Sequence, residues 1–293
     1  MGLRIKTNVT SLNAQRRMSE TTSRMASDME KLSSGFRINK SADDAAGLAI
    51  SETMTGQIRS LDQAKRNAND GISMIQVAEG GMSEISNILI RMRELATQSS
   101  SDTIGNVERS YANREYNELV DEIDRIASTV EFNGLKLLNG EEGVGFSDLV
   151  IHIGAGSGVE ENIDTVSINV ESIKLNSSDI LGLEKGAQIG PEETDGDFNR
   201  EDASSRLDIL DTAIKTVAGN RATLGAKQSR LTSSVNNLGV QIENLSSSRS
   251  QIRDVDFAYQ TAEFTQNKIL AQAGASVLSQ ASLNAELAVN LLR

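Results

Sequence analysis

Between Leu207 and Ile252, apolar residues return every seven positions without a break. Leu210, Val217, Leu224, Leu231, Leu238, Leu245 and Ile252 form one row. The companion row of Leu207, Ile214, Arg221, Gln228, Val235, Ile242 and Arg249 is polar at Arg221, Gln228 and Arg249. A sustained seven-residue repeat marks a helix laid against another helix. One helix over this stretch is roughly 70 Å long at about 1.5 Å per residue. A second row fits it as a partner: Met54, Leu61, Ala68, Ile75, Met82, Leu89 and Ala96, with Ala64, Ala78, Ile85 and Met92 beside it. No proline interrupts residues 41–100, so a helix of comparable length is predicted there. "SSSDTIGN", Ser99 to Asn106, reads as a break. A third helix is predicted over 107–129, with Tyr116, Leu119, Ile123 and Ile126 on one face.

The chain ends carry weaker repeats. Phe257, Phe264, Ala271, Leu278, Ala285 and Leu292 recur every seven residues, and Met18, Met25, Met29, Leu32 and Phe36 follow helical spacing. Both arms are amphipathic, but their remaining residues are small or rich in Gln and Ser. Neither arm alone buries enough apolar surface to hold a helix, so both are expected to order against partners. The pattern of an assembling protein is already present.

The middle breaks the helical period. Asn133-Gly134 and Asn139-Gly140 suit tight turns with positive φ, and "SDLVIHIGAGSG" and "DTVSINVESIKL" hold short β-branched runs. Hairpins are predicted across 131–175. "GAQIGPEETDGDFNR", Gly186 to Arg200, reads as an exposed acidic linker.

Composition and charge narrow the function. The 293 residues include no Trp, one Pro and nine Phe or Tyr, which suits closely packed helices better than an aromatic core. With no Cys and only His152, thiolate and His-based metal sites and most nucleophilic triads are excluded. His152 alternates within "DLVIHIG" and reads as a strand-face residue. "GAGSG" lacks the third glycine and following helix of a phosphate loop, and "DGDFNRED" has Arg200 and Arg206 where a calcium loop needs Gly and Glu. Catalytic residues, cofactors and metals are therefore not expected. The sequons at Asn8, Asn176 and Asn244 carry no weight alone. The formal net charge is −12: residues 1–40 hold +5 and residues 141–200 hold −10. The basic end lacks an aromatic platform for nucleic acid. The N-terminal stretch has no apolar signal core, and the least charged segment is too polar to span a bilayer. By these signals alone the chain reads as cytosolic and binds neither nucleic acid nor membrane.

"LSSGFRINKSADDAAGLAIS", Leu32 to Ser51, lies between an arm and a long helix. Gly35 is suited to end one helix and Ser41 to cap the next, with Asp43 and Asp44 in its first turn. Ala45, Ala46 and Gly47 leave room for close backbone approach. The stretch is expected to act as a hinge.

The same residues carry a resemblance. "LSSGFRINKSADDAAGLAIS", "IRMRELATQSS", "DEIDRIASTVEFNGLKLLNG", "LGAKQSRLTSSVNNL" and "QAGASVLSQAS…LLR" resemble, in order, motifs of bacterial flagellins over about residues 1–140 and 200–293. The resemblance implies a mainly α fold: a long antiparallel helical coiled-coil rod with a small β-hairpin region and a short acidic outer insertion. It implies an N-terminal assembly arm (1–40), N-terminal rod helices (41–140), a variable acidic surface region (141–200), a C-terminal rod helix (201–254) and a C-terminal assembly arm (255–293). It further implies export unfolded through the flagellar type III system and polymerisation into a swimming filament outside the cell, which replaces the cytosolic reading.

Self-assembly would then involve Met25, Met29, Leu32, Phe36, Asp43, Asp44, Phe257, Phe264, Leu278 and Leu292. Implied partners are other copies of the chain, an export chaperone at the C-terminal arm, and hook-associated junction and cap proteins. A host Toll-like receptor would read Arg91, Leu95 and Glu115. A hook–filament junction protein shares similar ends and is the alternative. A flagellin with enzymatic activity would need a motif such as HExxH, which is missing, and a cytosolic coiled-coil scaffold is the plainest reading without the resemblance.

Overall fold

The computed structural model describes residues 8–139, 148–154, 156, 164–169, 175, 182–183, 189–190 and 200–290. In chain order the elements are α1 (Val9–Ser34), α2 (Ala45–Ser99), α3 (Asn106–Thr129), β1 (Glu131–Phe132), β2 (Leu135–Lys136), β3 (Asp148–His152), β4 (Thr165–Asn169), α4 (Arg200–Arg253) and α5 (Phe257–Asn290). The three helices predicted from periodicity form: α3 matches its predicted span to within one residue, α2 starts at Ala45 rather than 41, and α4 starts at Arg200, well before Leu207. The chain divides into two compact units, one of residues 1–58 with 243–293 and one of residues 59–242. The long helices α2 and α4 therefore contribute to both. The divisions fall inside these helices, because chain contacts continue along a helix past the turn that begins it.

In the larger unit α2 and α4 run antiparallel. Arg93 meets Asp211 at 2.6 Å and Arg221 meets Glu79 at 3.7 Å, so positions advancing on one helix retreat on the other. The seven-residue rows face each other as the pattern requires. Ala68, Ile75, Met82, Leu89 and Ala96 are buried against Leu210, Val217, Leu224 and Leu231 in one continuous core. Full burial of each leucine contributes about 1.5–3 kcal/mol. The row weakens toward its end: Leu238 is buried, whereas Leu245 and Ile252 are half-buried. Tyr116, Val120, Ile123 and Ala127 bring α3 onto the same core.

The hairpins close this core. β1 and β2 pair antiparallel through Phe132 and Leu135. Asn133 and Gly134 turn between them with φ of 53° and 79°, the left-handed pair that Asn-Gly accepts most readily. β3 and β4 pair antiparallel from Asp148 with Asn169 to His152 with Thr165. Strand alternation sends Ile151, Ile153, Val166 and Ile168 into the core, while Val150 and His152 are exposed. A side chain at Gly71 of α2 would require the tip of Ile151 to shift, so glycine there suits the close approach of the hairpin to the helix.

The acidic middle is not wholly superficial. Leu175, Leu183 and Ile189 are buried. The amide of Leu175 donates to the Leu138 carbonyl at 2.9 Å, and that of Ile189 donates to buried Asn113 Oδ1 at 3.0 Å. The expected exposed linker from residue 186 thus has an anchor at Ile189, because three apolar side chains among many acids still find the core. Asn139-Gly140, Asn176, most of "GAGSG" and the start of "DGDFNRED" include positions outside the described residues.

Candidate functional site

The smaller unit is built around α1 and α5. Asn8 caps α1 by accepting from the Ser11 amide at 3.1 Å, and its own amide donates to the Ala281 carbonyl at 2.9 Å. Asp256 caps α5 through the amides of Ala258 and Tyr259. The two helices run antiparallel along their length. Seven-residue rows meet: Met18, Met25 and Leu32 on α1, with Phe264, Ala271 and Leu278 on α5, are all partly buried. Among the expected assembly residues, Met25, Leu32, Phe264 and Leu278 thus lie in the seam. Met29, Phe36 and Phe257 do not; they are exposed. Met29 departs because the α1 stripe continues through position 28 rather than 29. Leu292 lies outside the described residues.

Position 28 holds an acid. Asp28 is 5% exposed, and its two oxygens accept from Gln260 Nε2 and Asn267 Nδ2, each at 2.7 Å. Buried carboxylates persist where hydrogen bonds replace lost water. The apolar pattern of the arms overlooked this cluster. Continuing the spacing Ala14, Thr21, Asp28 against Gln260, Asn267, Gly274 would have found it.

At the foot of this unit the chain turns twice. Gly35 ends α1 at φ 73°, and its amide donates to the Lys31 carbonyl. Phe36 and Asp254 form an antiparallel bridge; the Arg37 amide donates to Arg253 at 2.7 Å, and the Val255 amide donates to Gly35 at 3.0 Å. Arg253 stacks over the Phe36 ring at 4.7 Å and pairs with Glu52 at 2.7 Å. A turn joins α1 to α2 at the expected place, and its capping differs from the sequence reading. Asp44, not Ser41, caps α2: its Oδ1 accepts from the Gly47 amide at 2.9 Å. Asp43 precedes the helix and accepts from the amides of Lys40 and Asn39, at 2.9 and 3.0 Å. These backbone donors hold its carboxyl below the ordinary value of 3.8. Asp44 stands directly before the first helical residue, Ala45, whereas Ser41 lies too far back along the chain to reach the first-turn amides.

The expected receptor patch divides. Arg91 and Glu115 are exposed and pair with each other at 2.8 Å, with Glu94 also on Arg91 at 3.1 Å. Glu115 and Glu94 hold the Arg91 guanidinium above its ordinary value. Leu95 is 2% exposed and belongs to the core, so it supports the patch from beneath and is not part of its surface. Helix spacing alone does not separate a shared face from its buried edge.

Outside the seam, α1 and α5 expose Val9, Leu12, Met29, Phe257, Tyr259, Ile269, Leu270 and Val277. Along α5, Phe257, Thr261, Thr265, Ile269 and Leu270 form an open, mostly apolar face. Apolar surface of this extent on helical ends marks a contact face. No described helix is long and apolar enough to cross a membrane. Long antiparallel helices with joined ends and apolar outer faces define a structural protein of the self-assembling kind.

Comparison with known proteins gives the family. A bacterial flagellin N-terminal helical region matches residues 5–142, and a bacterial flagellin C-terminal helical region matches residues 207–292. The chain belongs to the bacterial flagellin family. It is 43% identical to a flagellin of Halalkalibacterium halodurans, covering 99% of both chains. It is 40% identical to a flagellin of Bacillus subtilis, covering 99% of this chain and 100% of that one. Flagellins are structural filament proteins and not enzymes. Among solved structures, Bacillus cereus flagellin is 31% identical with a TM-score of 0.48, covering 59% of this chain and 88% of that one. A putative flagellar hook-associated protein from Vibrio parahaemolyticus has a TM-score of 0.58 at 13% identity, covering 72% of this chain and 100% of that one. That likeness concerns the fold alone.

Proposed function

We propose that the chain is the repeating subunit of a flagellar filament that serves swimming motility. The observation that carries this reading is the apolar outer surface of α1 and α5 in a flagellin chain matched at both ends. Isolated helices with such faces gain stability by covering them with further copies. Head-to-tail contacts that do not close on themselves give a helical polymer. The terminal helices are the inner tube of that polymer, and the helices of the larger unit form the layer around it. The formal charge of −10 over residues 141–200 makes the filament negatively charged.

The subunit is exported unfolded by the flagellar type III system and works outside the cell. A chain without cysteine and with one proline threads and refolds without disulfide or multiple prolyl isomerisation steps. Its partners are other copies, an export chaperone that covers the apolar face of α5 before assembly, and the hook-associated junction and cap proteins at the filament's ends. Asp43 and Asp44 set the hinge through which the arms reach their places. A host Toll-like receptor reads the exposed Arg91 and Glu115 pair on the monomer, a surface that neighbouring subunits cover in the polymer.

Deletion of residues 255–293 tests the assignment of the arms. The truncated chain is expected to keep a cooperative thermal transition and to remain soluble without polymer on sedimentation. Polymer formed by that truncation would refute it.

A further inference from the structure

We propose that Asp28, Gln260 and Asn267 act as a register key: they fix the axial setting of α1 against α5, which the apolar seam leaves weakly defined. This goes beyond the filament reading and does not depend on it. The seam repeats every seven residues, with Met18, Met25 and Leu32 against Phe264, Ala271 and Leu278. A slide by one repeat, about 10 Å at 1.5 Å per residue, again sets apolar residues against apolar or small ones. Methionine is unbranched and adapts to either setting. Repeating seams of this kind take their register from a polar residue placed among them.

Asp28 is such a residue. It is 5% exposed, and its Oδ1 and Oδ2 are each held at 2.7 Å by amides that lie seven residues apart on α5. The carboxylate therefore sits between two successive turns of the repeat, with one donor on each side. A slide in one direction sets it between Asn267 and Gly274. A slide in the other takes it past Gln260, beyond the start of α5 at Phe257. In either case one carboxylate oxygen loses its donor while the group remains in the seam, an arrangement that buried charge does not tolerate. One setting satisfies both oxygens, and the apolar contacts discriminate little among the rest.

The chain has no cysteine, so introduced pairs report register directly. A Cβ at position 274 would lie 4.0 Å from Met18 Cβ, within the ~3.5–4.5 Å span of disulfides. Met18→Cys with Gly274→Cys thus reports the native setting. Met18→Cys with Ala281→Cys, and Ser11→Cys with Gly274→Cys, report one-repeat slides in the two directions. Each pair is placed in the full-length chain and equilibrated in a glutathione redox buffer. With Asp28 present, only the native pair is expected to cross-link. With Asp28→Leu, at least one slid pair is expected to rise about tenfold or more. Asp28→Asn, which keeps the shape and can still accept from an amide, is expected to hold the native pattern. If Asp28→Leu cross-links only at the native pair, register belongs to the Phe36–Asp254 hinge contacts and the proposal is overturned. Should Asp28→Leu give no cross-link, Asp28→Thr, matching Thr21 in the same row, decides by the same criterion. Loss of every cross-link in both variants would make Asp28 a stability element and also overturn the proposal.

Discussion

Tyr116 shows how single side chains serve this fold at some cost. Its ring is fully buried, and its hydroxyl meets no hydrogen-bond partner among the described residues. Burial pushes the phenol up from 10.0 to about 12. Between those values the unfolded chain ionises first, so folding stability falls as pH rises through this window. Tyr116→Phe removes both the unpaired hydroxyl and this pH dependence. It is expected to match or exceed the parent's stability, by up to about 1 kcal/mol at neutral pH, with a flatter alkaline limb in thermal melts. Asp43 has the opposite sign. Its carboxyl is depressed below 3.8, so its hold on Lys40 and Asn39 is present above that value and is lost as pH falls further. Hydrogen exchange should show weaker protection of those two amides in Asp43→Asn at neutral pH. At the proposed receptor patch, Arg91→Ala and Glu115→Ala in the monomer are expected to lower receptor signalling without lowering the melting temperature. Leu95→Ala should lower the melting temperature by creating a cavity, at about 2–5 kcal/mol. Full signalling by both surface variants would remove the patch from the account.

Among the elements, the long helix pair gives the sharpest contrast. Leu231 is buried in the core, whereas Leu245 of the same row is half-buried. Leu231→Asp places an unpaired carboxylate where no water reaches and is expected to destabilise by several kcal/mol (about 4 or more). Leu245→Asp should cost clearly less, and denaturant midpoints of the two variants check the order. This contrast was only partly legible in the sequence. The seven-residue period located α2, α3 and α4 because one face of each is buried over most of its length, and Asn133-Gly134 located a turn because few residues accept its dihedrals. Periodicity does not say how deeply each position is buried, so Leu245 and Leu231 looked alike. It also passed over Asp28, since a search for apolar repeats skips the polar residue that completes one. Ser41 was expected to cap α2, but four residues near a helix start can compete for that place. Only the backbone path shows that Asp44 gains the Gly47 amide.

At the scale of the whole molecule, family and fold were legible, while buried points in the acidic middle were not. Leu175, Leu183 and Ile189 are apolar residues spaced among acids and turns, and nothing local marks them as core. These three described residues join the core although they come from a stretch with a formal charge of −10. The central claim concerns what many copies do together. Electron microscopy of the purified full-length chain, polymerised from monomer, tests it directly. Long helical filaments that elongate with protein concentration are expected. Soluble monomers or short, self-limiting assemblies under the same conditions would contradict it and favour a junction protein.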